Sequence, residues 1–138
     1  MAIKSKKVKR TSRERTKFRL RKNIIGTVEK PRVSVFRSSK HTYAQIISDT
    51  DGSTLVSAST LEKEVIDQIA SLAAKAESED KKAKSTKSVF AATAVGVVLA
   101  NRCKAKNIVK VVFDRNGFIY KGRIQAIADG ARKGGLDF

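Results

Sequence analysis

Eleven of the first 22 residues are Lys or Arg and only one, Glu14, is acidic. A segment so charged cannot build a core of its own, because like charges held close raise the free energy of every compact form until an anion screens them. The core must come from the rest of the chain, and the sequence divides into a basic arm, residues 1–30, and a body, residues 31–138. The first 22 residues hold +10 of the formal +17, which leaves +7 for the other 116. With 41% of its residues apolar, the chain can bury the core of one domain and is too apolar to be a wholly disordered basic tail.

Several classes of protein are excluded at this point. The longest mostly apolar stretch, Val89 to Ala100, is 12 residues long and is broken by Thr93 and Gly96, well short of the roughly 18 that cross a bilayer; no membrane partner is expected. The N-terminus has charge without an apolar segment behind it, unlike a secretory signal, although composition does not separate it from an Arg-rich organelle transit segment. The single cysteine, Cys103, excludes an intramolecular disulfide and suits a reducing compartment. Together with the single histidine, His41, it cannot form a Cys/His zinc site. No Walker-type, dinucleotide or nucleophile-elbow pattern occurs, so neither a metal nor a cofactor is expected.

Within the arm, Thr11 and Glu14 have the spacing of a capping box, and no Gly or Pro intervenes before Gly26. This predicts a helix over Ser12–Asn23. Its apolar side is thin: only Phe18 and Leu20, with Ile24 and Ile25 beyond, offer anything to dock. The helix is therefore expected to be partly disordered alone and to order on a partner. A solvated charge run is the simpler alternative, but the electrostatic footprint points to nucleic acid. Lys9, Arg10, Arg13, Arg15, Lys17, Arg19, Arg21 and Lys22 are the candidate phosphate contacts.

The body opens with alternation. Arg32–Arg37 (RVSVFR) places Val33 and Val35 on one face, as a half-buried strand does. Tyr43–Ser48 (YAQIIS) comes after a turn at Ser38–His41, and Asp51-Gly52 reverses the chain into Thr54–Ala58 (TLVSA), which gives an antiparallel meander. Ser59 and Glu62 then suggest a capped helix over Thr60–Ala76, with Leu61, Val65, Ile69, Leu72, Ala73 and Ala76 inward. Glu77–Lys87 is charged, of mixed sign and without periodicity, and reads as a mobile solvent loop. A second helix from Ser88 carries Ala92, Val95, Leu99 and Cys103 on one stripe and ends at Lys104–Asn107. Val109–Phe113 (VKVVF) reads as a buried strand, parallel to its neighbour because helices precede it. The last helix, Arg123–Lys133, turns Ile124, Ile127, Ala128 and Ala131 inward and stops at Gly134-Gly135. The fold class is thus α/β: a mixed sheet, a three-strand antiparallel meander plus one parallel strand, with helices packed on it and a basic helical arm in front.

Two body segments suit RNA. The turn Arg37, Ser38, Ser39, Lys40 and His41, with Tyr43 just beyond, offers hydroxyls, backbone N–H groups, cations and a ring for stacking. The loop from Asp114 to Arg123 combines Arg115, Asn116, Phe118, Tyr120, Lys121 and Arg123, cations interleaved with aromatic faces. For Phe118 and Tyr120 the alternative is a turn whose rings cap the core. Cys103 reads as a buried, inert thiol on its helix's apolar stripe. Asp49 and Asp114 fall at strand ends and could in principle meet around magnesium, yet turn chemistry and a neighbouring arginine favour solvated or ion-paired carboxylates. An enzyme is not expected.

From Pro31 to Gln45 the sequence PRVSVFRSSKHTYAQ closely resembles the large-subunit ribosomal protein family L18, which binds 5S rRNA. Ser57-Ala58-Ser59-Thr60 resembles the family's third-strand exit, and VVFDRNGFIYKGRIQAIADGARKGGLDF, Val111 to Phe138, resembles its C-terminal block. The resemblance covers nearly everything from Arg21 to Phe138. It implies a ribonuclease H-like arrangement without catalysis, and a structural role on a cytoplasmic or organellar ribosome. There the protein would bind 5S rRNA and help attach it to the large-subunit rRNA in the central protuberance, beside neighbouring ribosomal proteins. It places the RNA-facing features on the basic arm, on Arg32, on Arg37 to Tyr43 and on Arg115 to Arg123. The chain departs from the family where Asn116 replaces a second glycine, Phe118 a tyrosine or similar residue, and Lys121 a frequent histidine; Asn tolerates a left-handed turn and Lys keeps a cation. A general nucleic-acid-compacting protein would need the arm but no structured body, and a metal-dependent nuclease would need the Asp49 and Asp114 pair.

Overall fold

A computed structural model describes residues 9–75 and 88–138. In chain order the elements are α1 (Ser12–Arg21), β1 (Arg32–Arg37), β2 (Thr42–Ser48), β3 (Ser53–Ser59), α2 (Lys63–Lys75), α3 (Val89–Ala105), β4 (Val112–Asp114) and α4 (Arg123–Lys133). They form the expected mixed sheet, ordered β3-β2-β1-β4, with β1 antiparallel to β2, β2 to β3, and β4 parallel to β1. Alternation sets the register: Val33 lies opposite Ile46 and Val35 opposite Ala44, while Ile46 and Ala44 face Val56 and Ala58. All six side chains are buried on the face that the helices cover. At the tight turn Gly52 has φ +71°, and both the backbone N–H and the hydroxyl of Ser53 donate to Asp51 Oδ1.

The core centres on α3. Sequence periodicity shows one apolar stripe, but Ala91, Ala94, Val98 and Ala100 are buried as well as Ala92, Val95, Leu99 and Cys103. The helix is enclosed by α2, by α4 and by strands β2 and β3. Small residues allow this closeness. A Cβ on Gly96 would strike the backbone oxygen of Ile127, and one on Gly130 the backbone oxygen of Thr93, so α3 and α4 notch each other at a pair of glycines. Helix α4 spans Arg123–Lys133 as the sequence predicts, and its end is marked by Gly135 at φ +106°.

Three boundaries differ from expectation by more than one residue. Strand β4 starts at Val112 rather than Val109. Upstream of it, Val111 N–H donates to Asp137 O and Asp137 N–H to Val109 O, so the C-terminal residues take the pairing that the strand would have used. Helix α2 begins at Lys63, not Thr60. The Ser59 hydroxyl accepts from Leu61 N–H in a local turn and the Glu62 carboxylate is engaged by Arg102, so neither forms the predicted cap and Leu61 is exposed. Helix α1 ends at Arg21, two residues early. Ala76 and the expected mobile loop Glu77–Lys87 lie outside the described residues.

The outermost strand, β3, has charged company. Arg102 donates to Ser57 O at 2.6 Å and the Lys106 ammonium to Leu55 O at 2.7 Å, both from the last turn of α3 or just past it. Among the described residues no helix is long and apolar enough to cross a membrane.

Candidate nucleic-acid interface

Helix α1 begins with the predicted capping box: the Thr11 hydroxyl accepts from Glu14 N–H at 3.2 Å and Glu14 Oε2 from Thr11 N–H at 2.8 Å. Its partly buried positions are Arg13, Thr16, Lys17, Leu20 and Arg21, with Ile24 in line beyond the helix. That spacing of three and four residues is one helix face. The docked face is therefore mostly charged, while Phe18, expected to dock, is 54% exposed. The face sits on the loop after β4. Arg21 donates to Asp114 Oδ2 and to Asn116 Oδ1, each at 3.3 Å, and Arg13 Nε donates to Asn116 O at 3.3 Å. The Arg13 guanidinium also lies 4.1 Å from the centre of the Phe118 ring and 5.3 Å from that of Phe36. Contact is close enough that Gly117, at φ +79°, has no room for a Cβ beside the Arg13 backbone oxygen. Partial burial, reinforced by Arg21 and Arg13, lowers the Lys17 pKa.

Asp114 organises this junction. It is fully buried and accepts from Arg32 Nη1 at 2.8 Å, from Arg21 and from Asn116 N–H at 2.9 Å. Arg32 turns its other edge to Asp49, donating through Nε and Nη2 at 2.9 Å each, and Gly26 N–H adds a third donor to Asp49 at 2.7 Å. These charge-assisted bonds, the Arg32 bond above all, hold the Asp49 pKa below the usual carboxylate value. The two aspartates considered as magnesium ligands do converge, but on a guanidinium. Among the described residues no group of three or more His, Cys, Asp or Glu side chains is arranged to hold a metal. Arg32, assigned to the RNA-facing set by resemblance, is only 7% exposed. Asn116 is 6% exposed, takes the left-handed φ of +55° and donates from Nδ2 to Val35 O.

The remaining candidates lie around or beside Phe118. Arg37 approaches its ring at 5.4 Å, and Phe36 meets it edge-on at 5.7 Å. Tyr43 stands 6.0 Å from Phe36, and His41 6.4 Å from Tyr43. Arm, turn and loop, separated by up to about 100 residues of chain, thus share one aromatic cluster. The Ser38 hydroxyl is used inside its turn, accepting from His41 N–H at 3.0 Å, and His41 Nδ1 bonds the Thr60 hydroxyl at 3.1 Å. Ser39, Lys40 and Lys121 are exposed. Arg115 donates to Phe118 O at 2.8 Å and closes the loop. Phe118 is partly buried against the core, and Tyr120 packs edge-on to Phe113 while its hydroxyl accepts from Arg132, so both rings have the core-capping contacts of the alternative. Arg123 has a buried Nη1 without a hydrogen-bond partner, and burial together with Arg37 lowers its pKa.

On the outward side of α1, Lys9, Arg10, Arg15, Arg19 and Lys22 are exposed. Sequence reasoning reads these cations individually but misses their separation from Arg13, Lys17 and Arg21, and it misses Asp114 as an anchor; a carboxylate directly after a buried strand is the available signal. Cys103 is fully buried, and burial pushes its thiol pKa up to about 11.

A family model described as ribosomal L18 of archaea, bacteria, mitochondria and chloroplasts matches residues 7–138. The chain is 50% identical over 131 residues to the large ribosomal subunit protein uL18 of Sorangium cellulosum, covering 95% of this chain and 98% of that one. It is 52% identical over 134 residues to the protein of the same name from Lachnospira eligens, covering 97% and 98%. To the large ribosomal subunit protein uL18c of Oryza sativa it is 51% identical over 120 residues, covering 87% and 64%.

Proposed function

Since the chain belongs to the ribosomal L18 family, and is on that ground a structural constituent of the large ribosomal subunit and not an enzyme, we propose that it binds 5S rRNA and helps attach it to the large-subunit rRNA in the central protuberance. Neighbouring ribosomal proteins of that region flank it, on ribosomes of the cytoplasm. The observation that carries this reading is the meeting of three basic segments, distant in sequence, around Phe118 and Asp114. Cations fixed at set separations match the phosphate spacing of one folded RNA, whereas a loose basic tail matches any.

The residues divide by role. Arg10, Arg15, Arg19 and Lys22 neutralise phosphates from the outward side of α1. Arg13, Arg21, Arg32 and Asn116 hold the helix and loop in place. Arg37, Lys40, Lys121 and Arg123 continue the cationic surface across the body. Helix α1 tightens its seat on RNA, because its docked face is small and polar. The order β3-β2-β1-β4 with parallel β1 and β4 supports a ribonuclease H-like arrangement, with Arg32 clamping the strand-end carboxylates.

Affinity for 5S rRNA and for a transfer RNA, measured across a salt series, tests the proposal. A preference for 5S rRNA that persists as salt rises is expected. Equal affinities that collapse together would replace it with general nucleic-acid compaction.

A further inference from the structure

Phe18 is not among the residues of the hydrophobic core or those packed against it. It lies on α1 away from the docked face, and more than half of it is exposed, which ordinary packing does not explain on a helix this polar. Cations attend it: the Arg10 guanidinium lies 4.6 Å from the ring centre and the Lys22 ammonium 5.6 Å. The ring lines an open cleft of about 1140 Å³, far too large for an ion, with Lys9, Arg10, Arg15, Lys17 and Arg21 around it. The one carboxylate lining it, Glu14, is bonded back to Thr11 N–H in the capping box.

An apolar ring set among cations is complementary to one kind of ligand, a flat base flanked by phosphates. We infer that the α1 cleft is a nucleotide-binding subsite in which an unpaired RNA base stacks on Phe18. Arg10 and Lys22, already at the ring, meet the phosphates on either side of that base, and Arg15 the next along. A paired base inside a duplex has no open face to give, so the subsite reads an unpaired nucleotide and not a regular helix. This rests on the RNA-binding reading above and adds to it a contact that is not electrostatic.

The test uses the full chain with 5S rRNA and with a blunt RNA duplex of similar charge. Phe18→Leu keeps the apolar bulk and the helix propensity but removes the π face, and Phe18→Trp enlarges it. We expect Phe18→Leu to weaken 5S rRNA binding about tenfold at constant salt and to leave duplex binding within about twofold. Phe18→Trp should bind 5S rRNA at least as well as the parent. The chain has no tryptophan of its own, so the new indole is the only one, and its emission should be quenched by 5S rRNA and not by the duplex. Undiminished 5S rRNA binding by Phe18→Leu, or unquenched emission on bound RNA, would overturn the subsite while the parent's RNA binding stood. A parent chain that bound neither RNA would overturn the functional reading itself.

Discussion

Helix α3 is held by shape and helix α1 by charge. Around α3, alanines, valines and a glycine admit the sheet and two other helices so closely that neither Gly96 nor Gly130 could carry a methyl group. Such contacts are insensitive to salt and pH and depend on fit. By contrast, α1 is fastened by Arg13 over Phe118 and Phe36 and by Arg21 on Asp114 and Asn116. Those contacts need a buried carboxylate in place, weaken with ionic strength, and use side chains that a polyanion also attracts. The body is built to persist, and the arm is held by contacts with which a polyanion can compete.

Asp114→Asn should break the comparison most severely, since it leaves Arg32 short of a buried charge. A loss of about 3–5 kcal/mol from the body, read as a lowered urea midpoint, should accompany loss of α1 docking. A normal midpoint would show that Asp114 is not the shared anchor. Gly130→Ala strikes the body alone: about 3 kcal/mol, a fall in Tm on the order of 10 °C, with α1 still docked at temperatures where the body is folded. Arg13→Ala combined with Arg21→Ala does the reverse. Amide-exchange protection in α1 should drop sharply while the strands keep theirs and the midpoint moves by less than about 1 kcal/mol; coupled loss in both regions would show that α1 belongs to the body.

The smallest effect is on pH. Asp49 in the folded chain titrates below its ordinary value of 3.8, so near that value the unfolded chain binds more protons. Its ion pair thus stabilises fully above pH 3.8 and is lost as pH falls through the lower folded value. Unfolding midpoints recorded downward from pH 5 should decline less steeply for Asp49→Asn than for the parent.

The same contrast governs which parts of the molecule the sequence discloses. Strands β1 to β3 and helix α4 are legible because apolar residues at period two or at helical spacing, with Asp51-Gly52 and Gly134-Gly135 at the turns, write their burial directly. The apolar run Val111-Val112-Phe113 shows no phase, so it cannot say that Asp137 pairs ahead of the strand and moves β4 to Val112. The single stripe of α3 understates its burial, because Ala91, Ala94 and Ala100 fit inside or outside equally well. The docked face of α1 is invisible to hydrophobic patterning, since Arg13, Lys17 and Arg21 look like solvated charge until Asp114, Asn116 and Phe118, about a hundred residues on, come to meet them. The candidate cations themselves are all legible; which of them face outward is a property of the fold.

The two cations on the β3 rim bear on the chain's life before it reaches RNA. An outermost strand offers backbone groups to any second sheet. With Arg102 and Lys106 seated on the carbonyls of Ser57 and Leu55, a second strand approaching this rim must first displace two tethered donors. The β3 rim is thereby guarded against edge-to-edge pairing.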